Sequence, residues 1–352
     1  MKPYEIAIEA ADFSAYDTVI DTRSPAEFAA DHVPGAISAP VLDDDERAKV
    51  GTLYKQVSQF DAKKLGAALL AKNVANHVET LFAGKAKDWR PLVYCWRGGK
   101  RSGAMAHVLR EIGWDAQTLQ GGYKAYRRWV VERLLAAPTS FSFTVIHGPT
   151  GSGKSRLLAA LARAGAQVLD LETLAAHRGS VLGGLPGQPQ PSQKMFESRL
   201  LAALEALDPA RPVFVEGESK KIGELQVPDA LMGTMRAAPC VRLEASVETR
   251  VALLLDEYRH FVLDTSALDA QLDCLVALHG RERIAEWKAL AASGAWRDFV
   301  SRILVEHYDP AYNRSSHRNF AQLSEARQVR IASPEEASFT QAAETLLEPV
   351  PA

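Results

Sequence analysis

The eight residues Gly148-Pro149-Thr150-Gly151-Ser152-Gly153-Lys154-Ser155 constrain this chain more than any other stretch. They fit G-x-x-x-x-G-K-[S/T] at every fixed position, and that pattern has meaning only between a strand and a helix. Both are legible here. Phe141 to Ile146 reads as an apolar strand, and Lys154 to about Ala164 has helical spacing. The glycines turn successive backbone N–H groups inward as an anion nest, and the helix N-terminus adds its dipole. Gly148, Thr150, Gly151, Ser152 and Gly153 are therefore expected to cradle phosphate. Lys154 supplies a charge for terminal phosphate oxygens, and Ser155 is placed to hold Mg²⁺. The motif specifies a diphosphate or triphosphate and does not specify a nucleotide.

The surrounding pattern extends the unit. Ala166 to Leu171 and Arg211 to Glu216 read as strands, and Cys240 to Glu244 as a further one. Glu216 ends its strand where the metal- or water-orienting acid of a P-loop protein sits, with Glu218 and Asp170 as alternatives. His177, Arg178 and Ser180 follow the second strand, near the mouth of the phosphate loop in a doubly wound sheet. Val181 to Ser192 is rich in Gly, Pro and Gln and reads as a ligand-facing loop. From Val247 to Phe299 the spacing is largely helical.

A second strand–helix series precedes this one. A chain of 352 residues suits two domains. The segment Ala136-Ala137-Pro138-Thr139 marks the boundary. The expected organisation is an N-terminal α/β domain over 1–137 and a parallel α/β P-loop domain over 138–352, whose part from about 247 onward is mostly helical. In the first domain, Asp17 to Asp21 is a strand. Ser24 caps a helix with Pro25 at its first position. Arg90 to Cys95 is a strong strand that breaks into a glycine-bearing loop.

That loop, Cys95-Trp96-Arg97-Gly98-Gly99-Lys100-Arg101-Ser102, places a thiol at a strand end and wraps into a helix N-terminus. Loop N–H groups, with Arg97, Lys100 and Arg101, favour a thiolate over a thiol, and Gly98 and Gly99 let the loop curl. The same groups suit an incoming oxyanion. Cys240 and Cys274 lack this setting and read as structural. Three scattered cysteines without a C-x-x-C pair argue against a disulfide framework or structural zinc and suit a reducing cytoplasm. No run of about 18 apolar residues implies a membrane span. The formal net charge of −2 leaves nucleic-acid binding to local patches.

The residues of the first domain resemble a rhodanese domain. The resemblance is carried by Val19 to Phe28, His32-Val33-Pro34-Gly35-Ala36, the Cys95 loop and the Gly121-Gly122 turn. It implies a cysteine that carries a persulfide, supported by Asp21 and Arg23. The Cys-x5-Arg spacing to Arg101 is one residue longer than in the common sulfurtransferase loop. In this it resembles phosphatase-type loops, which hold a tetrahedral phosphate, and it favours a phosphate-bearing donor. Taken with Asp170-Leu171-Glu172, His177-Arg178-Gly179-Ser180, Gln190-Pro191-Ser192-Gln193 and Phe214 to Ser219, nearly the whole chain resembles the bacterial tRNA 2-selenouridine synthase family.

The resemblance implies a tRNA-modifying transferase acting on the anticodon arm, at a 2-thiouridine in the wobble position. Its co-substrates are geranyl diphosphate, which alkylates the sulfur, and selenophosphate, which replaces it. ATP is not required, and an enzyme that supplies selenophosphate is an implied partner. For tRNA contact, Lys124, Arg127 and Arg128 interleave with Tyr123, Tyr126 and Trp129, and Lys220-Lys221 follows a strand end. The rival readings are an ATP-dependent kinase or ligase with an accessory rhodanese domain, a phosphatase using Cys95 and Arg101, and a sensing module without turnover.

Overall fold

A computed structural model describes residues 4–180 and 182–348. It divides into two compact units: residues up to Arg133 together with Ser192–Ala202, and Leu134–Pro191 together with the chain from Ala203 onward. No helix among the described residues is long and apolar enough to cross a membrane.

The first unit is built on five parallel strands: β1 (Glu5–Ile6), β2 (Thr18–Asp21), β3 (Ile37–Ser38), β4 (Pro91–Tyr94) and β5 (Gln117–Leu119), in the order β1-β5-β4-β2-β3. Parallel strands need crossovers, and helices supply them. Helix α1 (Pro25–Ala30) starts with Pro25 in its first turn, but the Ser24 hydroxyl is buried without a partner, so the expected Ser24 side-chain cap is not made. The Glu27 carboxylate instead accepts from the Ser24 N–H at 3.2 Å. Helices α2 (Asp44–Gln56) and α3 (Gln59–Glu79) form a hairpin, α2 opening on a capping box from Asp43 to Glu46. Helix α4 (Lys100–Ile112) leaves the cysteine loop and α5 (Gly122–Ala136) leaves the Gly-Gly turn. The central strands β2 and β4 are buried on both faces, and Ile20, Val93, Phe82, Trp89, Met105 and Leu109 fill the core between sheet and helices.

The second unit repeats the principle. Its five parallel strands are β6 (Phe143–His147), β7 (Gln167–Leu169), β8 (Val213–Glu216), β11 (Cys240–Ala245) and β12 (Arg327–Ile331), in the order β12-β11-β6-β8-β7. A short antiparallel ribbon, β9 (Lys221–Ile222) with β10 (Leu225–Gln226), stands apart from this sheet. Helix α6 (Lys154–Arg163) follows the phosphate loop and α7 (Leu171–Ala175) follows β7, while most of α8 (Gln193–Glu205), which precedes β8 in the chain, belongs to the first unit. Helices α9 (Asp229–Ala237) and α10 (Val247–Glu257) flank β11. Beyond α10 the chain is largely helical, as the spacing predicts as far as Phe299, and continues so through residue 319, around Leu268, Leu272, Trp287, Phe299 and Ile303. The mostly helical end also contributes a strand, β12, which pairs in parallel with β11 from Arg327 to Ile331, before the helix Glu336–Leu347 packs back on α6.

Candidate functional sites

The phosphate loop has the geometry its sequence requires. Gly151 and Gly153 lie in the left-handed region, at φ 76° and 86°. Neither has room for a side chain. A Cβ on Gly151 would sit 2.8 Å from Leu254, and one on Gly153 would sit 2.5 Å from the ring of Phe339. A Cβ on Gly148 would meet the Ser152 hydroxyl at 2.4 Å. The glycines therefore serve the packing and the turn of the loop. Lys154 reaches back to the Gly148 carbonyl at 3.2 Å. The loop is braced from α10: Arg250 Nε donates to the Thr150 carbonyl at 2.9 Å, while its other nitrogens hold Asp309 at 2.6 and 3.0 Å.

A cleft of about 770 Å³ opens over the loop. Gly148, Thr150, Gly151, Gly153, Lys154 and Ser155 line it, as do Asp170, His177, Arg178, Ser180 and Glu218, so the structure brings most of the residues identified around the phosphate loop to one place. Ser152 and Glu216 are exceptions among these residues. Ser152 is fully buried beneath the loop with no partner for its hydroxyl. Glu216 is buried at its strand end, where Oε1 accepts the Glu172 N–H at 2.8 Å and Oε2 has no partner. The acid expected to face metal or water from β8 thus lies behind the cleft wall, and Glu172 takes the forward place. Glu172 is close to Glu218 and accepts from the Ser155 hydroxyl at 3.0 Å. Its role was not signalled by its own surroundings in sequence beyond the Asp170-Leu171-Glu172 string.

The carboxyls crowd each other. Burial, then the Glu218 charge, pushes the Glu172 carboxyl up to about 8, with Lys154 opposing. Burial raises Glu218 too, against the pull of Lys154, and raises Glu216 well above the carboxylate range. Behind Gly217, burial followed by the Lys154 charge pushes the His147 imidazole down to about 4, and its Nε2 has no partner. Asp170 is committed to capping α7, accepting from the Thr173 backbone at 2.7 Å and its hydroxyl at 2.8 Å. On the opposite wall Arg178 lies over the Tyr258 ring at 4.6 Å and donates to the Glu257 carbonyl at 2.7 Å. The Ser180 and Tyr258 hydroxyls are 3.4 Å apart, and His177 Nδ1 accepts from the Gly179 backbone at 3.2 Å. Thr150, Leu254, Tyr258 and Tyr308 also border a second, apolar pocket of about 50 Å³, which runs on to Phe261, Trp296 and Phe299. Tyr258, Tyr308, Arg250 and Asp309 come from a region whose helical spacing gave no chemical signal.

In the first unit, Cys95 is buried directly after β4, with Ser102 Oγ 3.4 Å from its sulfur. Gly99 turns the loop at φ 69° into α4. The loop's outer arc is held from α5, where the Tyr123 and Lys124 N–H groups donate to the Cys95 and Trp96 carbonyls at 2.7 and 3.0 Å. Arg97, Gly98 and Lys100 are exposed along the loop. Arg101 is turned to Glu27 at 3.3 Å, which also receives Arg47. Beneath the loop a buried network fixes its base. Arg23 forks onto Asp21 and lies 3.8 Å from the Tyr123 ring centre, and Tyr123 donates to Asp31 at 2.8 Å. Ser198 donates to the other Asp31 oxygen at 2.8 Å.

Among the residues read as tRNA contacts, the aromatic rings turn inward. Tyr123 and Tyr126 are core residues, and Trp129 packs 6.0 Å from Tyr126. Arg127 is paired with Glu197, while Lys124 and Arg128 remain exposed. Lys220 is paired with Asp229 at 2.5 Å and Lys221 with Glu224 at 3.4 Å. Helical spacing placed rings and cations side by side in sequence, and the core claimed the rings.

These two loops define the class: a rhodanese-like α/β unit joined to a P-loop unit. Residues 7–128 match the rhodanese-like domain, and residues 141–273 match the tRNA 2-selenouridine synthase AAA domain. The tRNA 2-selenouridine synthase of Shewanella halifaxensis is 33% identical over 84% of this chain and 87% of its own length. Those of Nitrosomonas europaea and Marinobacter nauticus are each 38% identical, over 70% and 68% of this chain and 64% and 65% of their own lengths. The chain belongs to the tRNA 2-selenouridine synthase family.

Proposed function

We propose that the chain converts wobble 2-thiouridine in tRNA to 2-selenouridine in two steps, with geranyl diphosphate and then selenophosphate as donors. The observation that carries this reading is the P-loop cleft bordered by an apolar pocket. A nucleotide-hydrolysing site needs a place for a base and sugar. A diphosphate with a hydrocarbon tail needs a backbone nest, a lysine and an apolar wall next to them. The pocket along Leu254, Phe261, Trp296 and Phe299 offers that wall, and each buried CH₂ is worth about 0.8 kcal/mol. As it stands it takes the end of a chain rather than all ten carbons, so the remainder lies along the cleft.

In the first step the thiocarbonyl sulfur attacks C1 of geranyl diphosphate. The C–O bond breaks, diphosphate leaves onto the nest and Lys154, and the uridine N3 proton is lost. Mg²⁺ bound with a diphosphate commonly takes only one or two protein oxygens. Ser155 and Glu172 are the fitting pair at this end of the cleft. In the second step selenophosphate displaces the geranylthiol at C2, and hydrolysis of the Se–P bond releases phosphate. Cys95, with Arg97, Lys100 and the loop N–H groups, suits the tetrahedral anion. A tRNA substrate sets the activity in the cytoplasm.

The test incubates the purified protein with 2-thiouridine-containing tRNA and both donors, each omitted in turn, and reads the nucleosides by mass spectrometry. S-geranyl and seleno products are expected, each dependent on its own donor. An unchanged nucleoside profile with intact tRNA and folded protein, alongside Mg²⁺-dependent ATP hydrolysis, would instead support the kinase or ligase reading.

A further inference from the structure

The tip of the α2–α3 hairpin exposes three large apolar side chains within seven residues: Tyr54 at 46%, Val57 at 76% and Phe60 at 74%. Soluble chains rarely leave such a group open without a use for it. Its setting is basic. From Gly51 to Asn73 the sequence carries Lys55, Lys63, Lys64 and Lys72 against one acid, Asp61, and Asp61 is 3.4 Å from Lys64. Lys55, Lys63 and Lys64 are exposed, and the Lys64 ammonium lies 6.0 Å from the Phe60 ring centre. Of the cations read as RNA contacts, Lys124 and Arg128 are exposed, Arg127 is paired, and Lys220 and Lys221 are in surface ion pairs.

We infer that this hairpin tip is a tRNA-docking surface, with Tyr54 and Phe60 stacking on unpaired bases and Lys55, Lys63 and Lys64 contacting the flanking phosphates. The inference rests on the tRNA-modifying reading above. Rings stack on any base, and lysines take phosphate without regard to sequence. The surface therefore supplies grip and leaves recognition of the thiouridine to the two loops. Val57, at the turn between the helices, is placed to pack against a ribose or base edge.

The test compares wild type with Tyr54→Ala/Phe60→Ala and Lys55→Ala/Lys63→Ala/Lys64→Ala in filter binding of tRNA at two salt concentrations. These side chains are exposed, so unchanged thermal melting is the expected check on folding. The aromatic variant is expected to lose about tenfold or more in affinity at both salts. The lysine variant is expected to lose a similar factor at low salt and to flatten the log–log salt slope by roughly 2–3. Geranyl diphosphate affinity should not change in either. A wild type that binds no tRNA overturns the parent reading and this one with it. A wild type that binds, with both variants binding equally well, overturns the docking surface alone. Hairpin-dependent binding to phosphatidylserine vesicles, with tRNA affinity unaffected by the substitutions, assigns the tip to a lipid surface and likewise overturns it.

Discussion

Ser155 donates its hydroxyl proton to Glu172 at 3.0 Å. The hydroxyl expected to meet a metal is thus held by a carboxyl that burial and Glu218 keep protonated up to about pH 8. Below that pH Glu172 is neutral and Lys154 dominates the nest. Above it, Glu172 ionises and repels a diphosphate. In EDTA, affinity for geranyl diphosphate is expected to fall roughly tenfold as pH rises from 7 to 9, a factor that corresponds to about 1.4 kcal/mol. Calorimetric titration reads it directly. Glu172→Gln should flatten the curve, and Mg²⁺ should reverse its sense by turning the ionised carboxylate into a ligand. A pH-independent wild type in EDTA would remove Glu172 from the site.

The same protonation bears on stability. Because the folded Glu172 binds its proton more tightly than the unfolded chain does, its stabilising contribution is complete below the ordinary carboxylate range. It is lost as pH rises through that range to about 8. Glu172→Gln is expected to reduce the decline in urea midpoint between pH 5 and 9. An identical decline in wild type and variant counts against the shift.

Cys95 separates the two chemistries. If its loop handles selenophosphate alone, Cys95→Ala should abolish selenouridine while S-geranylthiouridine still forms and accumulates. Mass spectrometry of digested tRNA distinguishes the outcomes. Loss of both products to the same extent would sink this division of labour.

Gly122 supports that loop from outside it. At φ 56° its Cβ would stand 2.2 Å from the Cys95 carbonyl oxygen, so Gly122→Ala must move the loop or the start of α5. Strain of this kind costs on the order of 1–3 kcal/mol. A lower denaturation midpoint and an altered thiol-labelling rate at Cys95 are expected, measured in a Cys274→Ser background because Cys274 is exposed. Unchanged values for both would show that the close approach is not required.

What could be read from sequence was local. The glycine loop before α6, Pro25 at the start of α1 and the strand leading into Cys95 are each specified within about ten residues, and each stands where the residues put it. What could not be read depends on partners far along the chain. Glu172 gains its character from burial and from Glu218, and the base of the Cys95 loop from Ser198, which is 167 residues from Asp31. Strand β12, Arg-Gln-Val-Arg-Ile, buries only Val329 and Ile331 and sits at a sheet edge, so its short alternation is weak evidence beside the helical spacing before it. Tyr123 and Tyr126 show the converse limit: spacing reveals a face of a helix and leaves open whether that face meets solvent or core.

Arg250 is the long-range contact with the most direct consequence. Its side chain is 5% exposed and spans 100 residues of sequence to the Thr150 carbonyl, while Asp309, 28% exposed, neutralises it. Arg250→Met fills similar volume but frees the carbonyl of the nest and leaves Asp309 without its partner. Removing one member of a fully buried pair costs about 3–5 kcal/mol, and the partial exposure of Asp309 brings the expectation to roughly 2–3 kcal/mol. The phosphate loop should then bind geranyl diphosphate more weakly, because the nest is no longer held in its binding shape. Arg250→Met/Asp309→Leu should recover part of the stability without recovering the affinity, since the Thr150 brace stays absent. Arg163→Ala, which breaks an exposed pair with Glu336, serves as the control and should change neither quantity measurably. Full recovery of affinity in the double variant would show that Arg250 acts through Asp309 alone and not on the phosphate loop.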